Sequence, residues 1–216
     1  MIPRRHVLAA LSALAFFPGS SASARYDPLV LVAPGNAVGA VGASVGGSMV
    51  SIRIDRSLPS THVRLPDGTT IDIAARVMLK GSDAKGRARY LDDARNATRV
   101  AANIRDALSE HTPERASLFR ANHRRWARPF ARQALRWTQR LSRSGVAGKL
   151  IADPYHRVYL LEWAGARVAN NRGIVGPSAL ARVPPEPRSP TPEAYSRYIE
   201  ALVASLVQAE SSKTAD

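Results

Sequence analysis

Residues 27–34, DPLVLVAP, form a short run rich in Val and Leu closed by Pro34-Gly35, the pattern of a buried strand. In 36–47, NAVGAVGASVGG, Val38, Val41 and Val45 recur three and four apart, which places them on one helical face. The glycines there weaken the helix but allow it to lie close on a sheet. MVSIRI (49–54) then alternates, with Val50, Ile52 and Ile54 on one side and Ser51 and Arg53 on the other. Strand, helix and strand within so short a span predict a right-handed βαβ unit and a parallel sheet. Residues 55–70 are expected to be a loop from their Pro, Ser, Asp and Gly content, leaving the carboxyl end of the second strand, where open α/β sheets place their ligands. TTIDIAARVML (69–79) predicts a further strand or short helix before a charged turn over 80–89.

From Leu91 the period becomes helical. Ala94, Ala97, Val100, Ala101, Ile104 and Leu108 share one face, with Asp92 or Asp93 as the N-cap. Thr112-Pro113 predicts the start of a second helix running to about Arg143, a span of about 45 Å at 1.5 Å per residue. Its apolar stripe is Phe119, Trp126, Phe130, Ala134, Trp137 and Leu141, and Pro129 is expected to bend it. Such length predicts a spine connecting two lobes. Beyond Gly145 and Gly148, Lys149–Ala152 reads as the end of a strand, Tyr155–Trp163 as a helix and 165–168 as the start of another strand. The Pro-rich stretch 183–192 is a loop, and 192–210 an amphipathic terminal helix. The expected fold is therefore α/β: two small α/β lobes with parallel sheets joined by a long spine helix.

The first residues carry a different pattern. Arg4 and Arg5 precede an apolar stretch from Val7 to Phe17, a Pro-Gly breaker and small residues at Ala22 and Ala24, the layout of an export signal cleaved after Ala24. The apolar stretch is shorter than the roughly 20 residues of a membrane span. The expected organisation is a leader at 1–24, an N-terminal lobe at 25–111, the spine at 112–144, a C-terminal lobe at 145–210 and a polar tail at 211–216. The expected location is the periplasm, reached by Sec or Tat export, with no membrane span once the leader is removed.

Charge narrows the partners. The chain carries a formal net charge of +14, or +12 without Arg4 and Arg5, and all but four of its 31 basic residues are arginine. This balance favours anionic partners, and export removes nucleic acid from their number. Arg120, Arg124, Arg128, Arg132, Arg136 and Arg140 recur at every fourth position of the spine. Like charges at that spacing repel, so the stripe is either a solvated face or a docking surface for an anionic partner. There is no cysteine, no Gly-x-Ser-x-Gly elbow, no His-Glu-x-x-His pair and no P-loop lysine motif, so an enzyme is not expected.

The candidate chemistry lies in five histidines. His62 follows the βαβ unit, and Asp153 and His156 lie three apart in a second turn after a strand. With a carboxylate or two, these could build the tetrahedral site that zinc prefers.

Several stretches resemble the periplasmic metal-binding proteins of zinc and manganese ABC transporters. Residues 29–54 resemble the opening strand, helix and Gly-Gly turn of that family. His62 and Pro66 keep the spacing of its Pro-His-x-x-x-Pro ligand loop, with Thr61 in place of the first proline. Residues 90–126 resemble its Leu-Asp-Pro helix and spine, 151–168 the opening of its second lobe, and 192–207 its last helix. The resemblance implies binding of a zinc or manganese ion, or a metal-related ligand, in an interlobe cleft, and delivery to an ABC transporter permease. His62 would be a ligand, and Asp153 and His156 fall near the third ligand position. Ala88 stands where the family has its second histidine, and the fourth ligand has no counterpart. The alternative expectation is an accessory protein that no longer binds metal and docks another periplasmic or membrane protein through its basic spine.

Overall fold

A computed structural model describes residues 27–80, 88–169, 174–175 and 178–211. The leader, most of the charged turn at 80–89 and residues 212–216 of the expected tail lie outside the described residues. The fold is α/β, with two sheets and five helices among the described residues.

The predicted βαβ unit is present. β1 (Leu29–Ala33) and β2 (Val50–Ile54) pair in parallel, Leu31 opposite Ile52, with α1 (Asn36–Gly46) crossing between them. Close packing explains the glycines of α1. A Cβ on Gly42 would lie 2.6 Å from Leu31 Cδ2, and one on Gly39 would lie 2.9 Å from Ile52 Cγ2.

The first sheet is mixed rather than parallel. β3 (His62–Arg64) lies antiparallel to β1, and β4 (Thr70–Asp72) antiparallel to β3, giving the order β2-β1-β3-β4. The expected loop at 55–70 thus contains a strand. Its cause is the alternation His62-Val63-Arg64-Leu65: Val63 and Leu65 are buried while His62 and Arg64 point away from the core. The second sheet is parallel, order β6-β5-β7, built from β5 (Leu150–Ala152), β6 (Arg167–Ala169) and β7 (Ile174–Val175).

Helix α2 (Ala94–His111) is capped by Asp93, whose carboxylate accepts from Arg95 N. Thr112 does not cap a regular helix. Pro113–Arg115 form a 3-10 turn, and α3 (Ala116–Leu141) follows and continues through Pro129. The predicted stripe is its inner face, where Phe130 stacks on Trp126 at 4.6 Å between ring centres and on Tyr195 of the last helix at 5.7 Å. Asn122 Nδ2 reaches the Val45 carbonyl of α1 (3.2 Å), and Thr138 accepts from Trp163 Nε1 of α4 (Val158–Trp163; 2.9 Å). Helix α3 therefore touches the elements of both sheets. α5 (Pro192–Ser211) closes the fold by burying Tyr195, Tyr198, Ile199, Leu202, Val203 and Leu206 in a core continuous with that of both sheets. None of the described helices is long and apolar enough to cross a membrane.

Candidate functional site

A cavity of about 350 Å³ opens at the carboxyl ends of β1 and β2, under the first turn of α1. Pro34, Gly35 and Arg56 form one wall, Ala88 to Asp92 a second, and Pro185, Glu186 and Tyr198 a third. This is the place that the topology of an α/β sheet reserves for ligands, because the strands end there and the helix presents free backbone N–H groups.

The chain puts a carboxylate of its own at that helix end. Glu186 Oε2 accepts from Asn36 N (2.8 Å), its other oxygen is ion-paired with Arg56, and the Asn36 amide holds the next carbonyl, Pro187 O (2.9 Å). Gly35 is extended there, a conformation open to any residue, so its glycine is a matter of room. A Cβ would lie 2.6 Å from Glu186 Oε2.

Arg89 crosses a second wall. Its guanidinium donates to the Tyr155 carbonyl (3.1 Å), joining the residue beside Ala88 to the turn that follows β5. The same wall is fixed by Ser60, whose hydroxyl accepts from Ala88 N (3.0 Å) and whose carbonyl accepts from the Tyr90 hydroxyl (2.9 Å). Burial raises the Tyr90 phenol far above its ordinary range, so it stays a neutral donor.

The floor is a buried ionic network. Arg157 Nη1 donates to Asp92 Oδ2 (2.9 Å) and to the Tyr198 hydroxyl (2.6 Å), and Nη2 donates to the carbonyls of Val183 (3.0 Å) and Pro184 (3.1 Å). Tyr198 in turn donates to Asp92 Oδ1 (2.6 Å). Burial pushes the Asp92 carboxyl up, against the pull of Arg157 and the Tyr198 hydroxyl, and burial beside Asp92 holds the Tyr198 phenol well above its usual value.

The structure does not bring the sequence-predicted metal residues together. His62 opens β3, half-buried, with Nδ1 2.9 Å from the Thr61 hydroxyl, and does not line the cavity. Asp153 turns its carboxylate back onto Tyr155 N (3.2 Å), and His156 is exposed at a left-handed φ of 55°. Among the described residues, no group of three His, Cys, Asp or Glu side chains is placed to hold a metal ion. The other two carboxylates within reach are engaged elsewhere, Asp92 with Arg157 and Glu162 with Lys80 (2.7 Å). A guanidinium, that of Arg89, joins the segments where the resemblance expects the second and third ligands.

The basic stripe of α3 is divided by its surroundings. Arg140 turns inward to pair with Glu200, which also accepts from Trp137 Nε1 (2.6 Å), and Arg120 folds back onto the Ala116 carbonyl (3.2 Å). Arg124, Arg128, Arg132 and Arg136 are exposed, and none belongs to an ion pair among the described residues.

Arg56, Arg89, Arg157, Tyr198 and Glu186 are the site residues that sequence reasoning missed. One signal was available: Glu186 is the only acidic residue in the Pro-rich stretch 183–192.

Among solved structures, the chain is similar to one described as a crystal structure analysis of the Streptococcus pneumoniae AdcAII protein. The likeness covers 68% of each chain at 15% identity, with a TM-score of 0.46. No family model and no curated protein matches the chain.

Proposed function

We propose that this chain is a solute-binding-type protein whose cleft takes a small anionic ligand, a carboxylate, a phosphate or an anionic metal chelate, in preference to a bare metal ion. The observation that carries the reading is the capture of the Glu186 carboxylate by Asn36 N and Arg56 at the edge of a cavity that also holds Arg89. A site that binds one carboxylate in this way has the donors for another. Its two guanidiniums and the net positive charge of the chain oppose entry of a free cation and favour an anion.

Export to the periplasm and delivery to an ABC permease belong to the same proposal. They are supported by the leader pattern at 1–24 and by the resemblance of 29–54, 90–126 and 151–168. In this reading a zinc or manganese ion arrives wrapped in an anionic chelator. His62, Asp153 and His156 would meet it only after the turns at 61–62 and 153–156 rearranged.

Calorimetric titration of metal-free protein tests the proposal, using citrate, inorganic phosphate, zinc, manganese and zinc citrate in turn. Heat with citrate, phosphate or zinc citrate that is lost in Arg89→Ala supports it. Tight binding of zinc or manganese alone, abolished by His62→Ala and indifferent to Arg89→Ala, would replace it with the bare-metal site. No heat with any of the five would remove the cleft reading.

A further inference from the structure

The outer face of α3 is a cationic surface whose arginines have no ion-pair partner among the described residues. Helix α3 contains no acidic residue across its 26 positions. At 100° per residue, Arg124, Arg125, Arg128, Arg132 and Arg136 fall within an arc of about 120°, centred opposite the buried stripe of Phe119, Phe130, Ala134, Trp137 and Leu141. They cover about 18 Å of helix axis. All five side chains are exposed and unpaired among the described residues. The arc also carries two exposed leucines, Leu118 at 37% and Leu135 at 59%.

A solvated helix face ordinarily mixes signs, because i,i+4 pairs of opposite charge support the helix and like pairs weaken it. Here the repulsion is tolerated, and no ion pair among the described residues offsets it at these five positions. We infer that this face of α3 docks on an anionic lipid surface, with Arg124, Arg125, Arg128, Arg132 and Arg136 among the phosphates and Leu118 and Leu135 at the acyl boundary.

Lipid fits better than an acidic protein for a geometric reason. Helix α3 places no carboxylate between the guanidiniums, and the one acidic residue that borders their groove, Glu193 of α5, lies beside Arg125 and Arg136 only, so little on the face sets a register for a partner of fixed shape. Fluid headgroups adjust to any spacing. Long arginine side chains suit such a boundary, since their stems lie on apolar material while the charged ends stay with phosphate. What the cleft binds does not enter, because none of these residues except Arg125 and Arg136 borders any described cavity, and those two border a groove beside α5 that shares no lining residue with the cavity of Arg56 and Arg89.

The test is co-sedimentation of the full chain with vesicles. One set is phosphatidylcholine, and the other contains about 30% phosphatidylglycerol, at an ionic strength of about 0.1 M and again at about 1 M. The leader, with Arg4 and Arg5, is common to every variant, so the change between variants in the excess on anionic vesicles is the quantity read. The expected result is an excess that disappears at high salt. It should fall about fivefold per arginine removed, on the order of a hundredfold in the combined variant Arg124→Gln, Arg128→Gln, Arg132→Gln. Glutamine keeps helix propensity, and unchanged circular dichroism confirms the fold.

A control variant, Arg76→Gln, Arg167→Gln, Arg182→Gln, removes the same charge from exposed positions off α3 and should keep most of the excess. Equal loss in both variants, or no excess on anionic vesicles, overturns the inference. Binding to polyglutamate without binding to the vesicles also overturns it, in favour of an acidic protein partner.

Discussion

Arg157 and Asp92, 65 residues apart in sequence, meet at 2.9 Å in the interior with only 2% and 4% of their side chains exposed. One follows β5 of the second sheet and the other precedes α2 of the first, so the pair joins the two halves of the fold beneath the cleft. Breaking such a pair leaves an uncompensated buried charge, whereas replacing both members by apolar groups can cost little. Arg157→Met and Asp92→Leu are each expected to destabilise by about 3–5 kcal/mol in urea unfolding, and the double variant by less than either alone. Additive losses in the double-mutant cycle would mean that the two side chains act independently.

Glu186 occupies the donors that the proposal assigns to a ligand. Glu186→Gln keeps the shape of the side chain and removes its charge, so it should raise affinity for citrate in calorimetry. The accompanying stability loss is expected to stay below about 1 kcal/mol, because the Arg56 side chain is 56% exposed and its ion pair is screened by solvent. Unchanged or weaker citrate binding would show that the Glu186 carboxylate is not competing for the site.

The fold was legible wherever a period persisted. The β1-α1-β2 unit and helices α2, α3 and α5 follow from three- and four-residue or alternating spacing over long enough runs. β3 and β7 were not legible, because three and two residues do not establish a period, and Pro59, Ser60, Pro66, Asp67 and Gly68 surround the first. That concealed strand also decided the fate of His62: spacing to Pro66 places it along the chain, but the alternation with Val63 decides which way it faces. The cleft itself was hidden for another reason. Arg56, Arg89, Arg157 and Glu186 come from four separate segments, and only the tertiary fold pairs them. The excess of arginine is the one sequence feature that bears on the ligand proposed here, since it favours an anion.

Glu200 gives the fold a measurable acid limb. Partial burial would raise its carboxyl, but hydrogen bonds from Arg140 and Trp137 outweigh this and hold it below the ordinary 4.5. A carboxyl with a depressed folded value contributes stability that is fully present above the unfolded value. That stability is lost as the pH falls through the folded one. Between the two the unfolded chain binds the extra proton. Melting temperature should therefore decline as pH falls below about 4.5, and Glu200→Gln should flatten that part of the decline while leaving its slope above pH 6 unchanged. Identical curves for both proteins would remove Glu200 from the acid limb.

The junction of α1 and β2 is where added volume should hurt most. Replacing a helical glycine by alanine usually stabilises by up to about 1 kcal/mol, through helix propensity. At Gly42 the new Cβ would lie 2.6 Å from Leu31 Cδ2, the end of a side chain that can turn, whereas at Gly46 it would lie 2.2 Å from Val50 Cβ. That atom is fixed to the first residue of β2, and β2 is held along its length by β1. Gly46→Ala therefore requires the helix or the strand to move, at an expected net cost of about 1–3 kcal/mol. Gly42→Ala should be the milder of the two, with propensity and overpacking of Leu31 nearly cancelling. Urea midpoints of the two variants check the order, and a Gly46→Ala protein as stable as the parent would show that the 47–49 turn absorbs the added methyl.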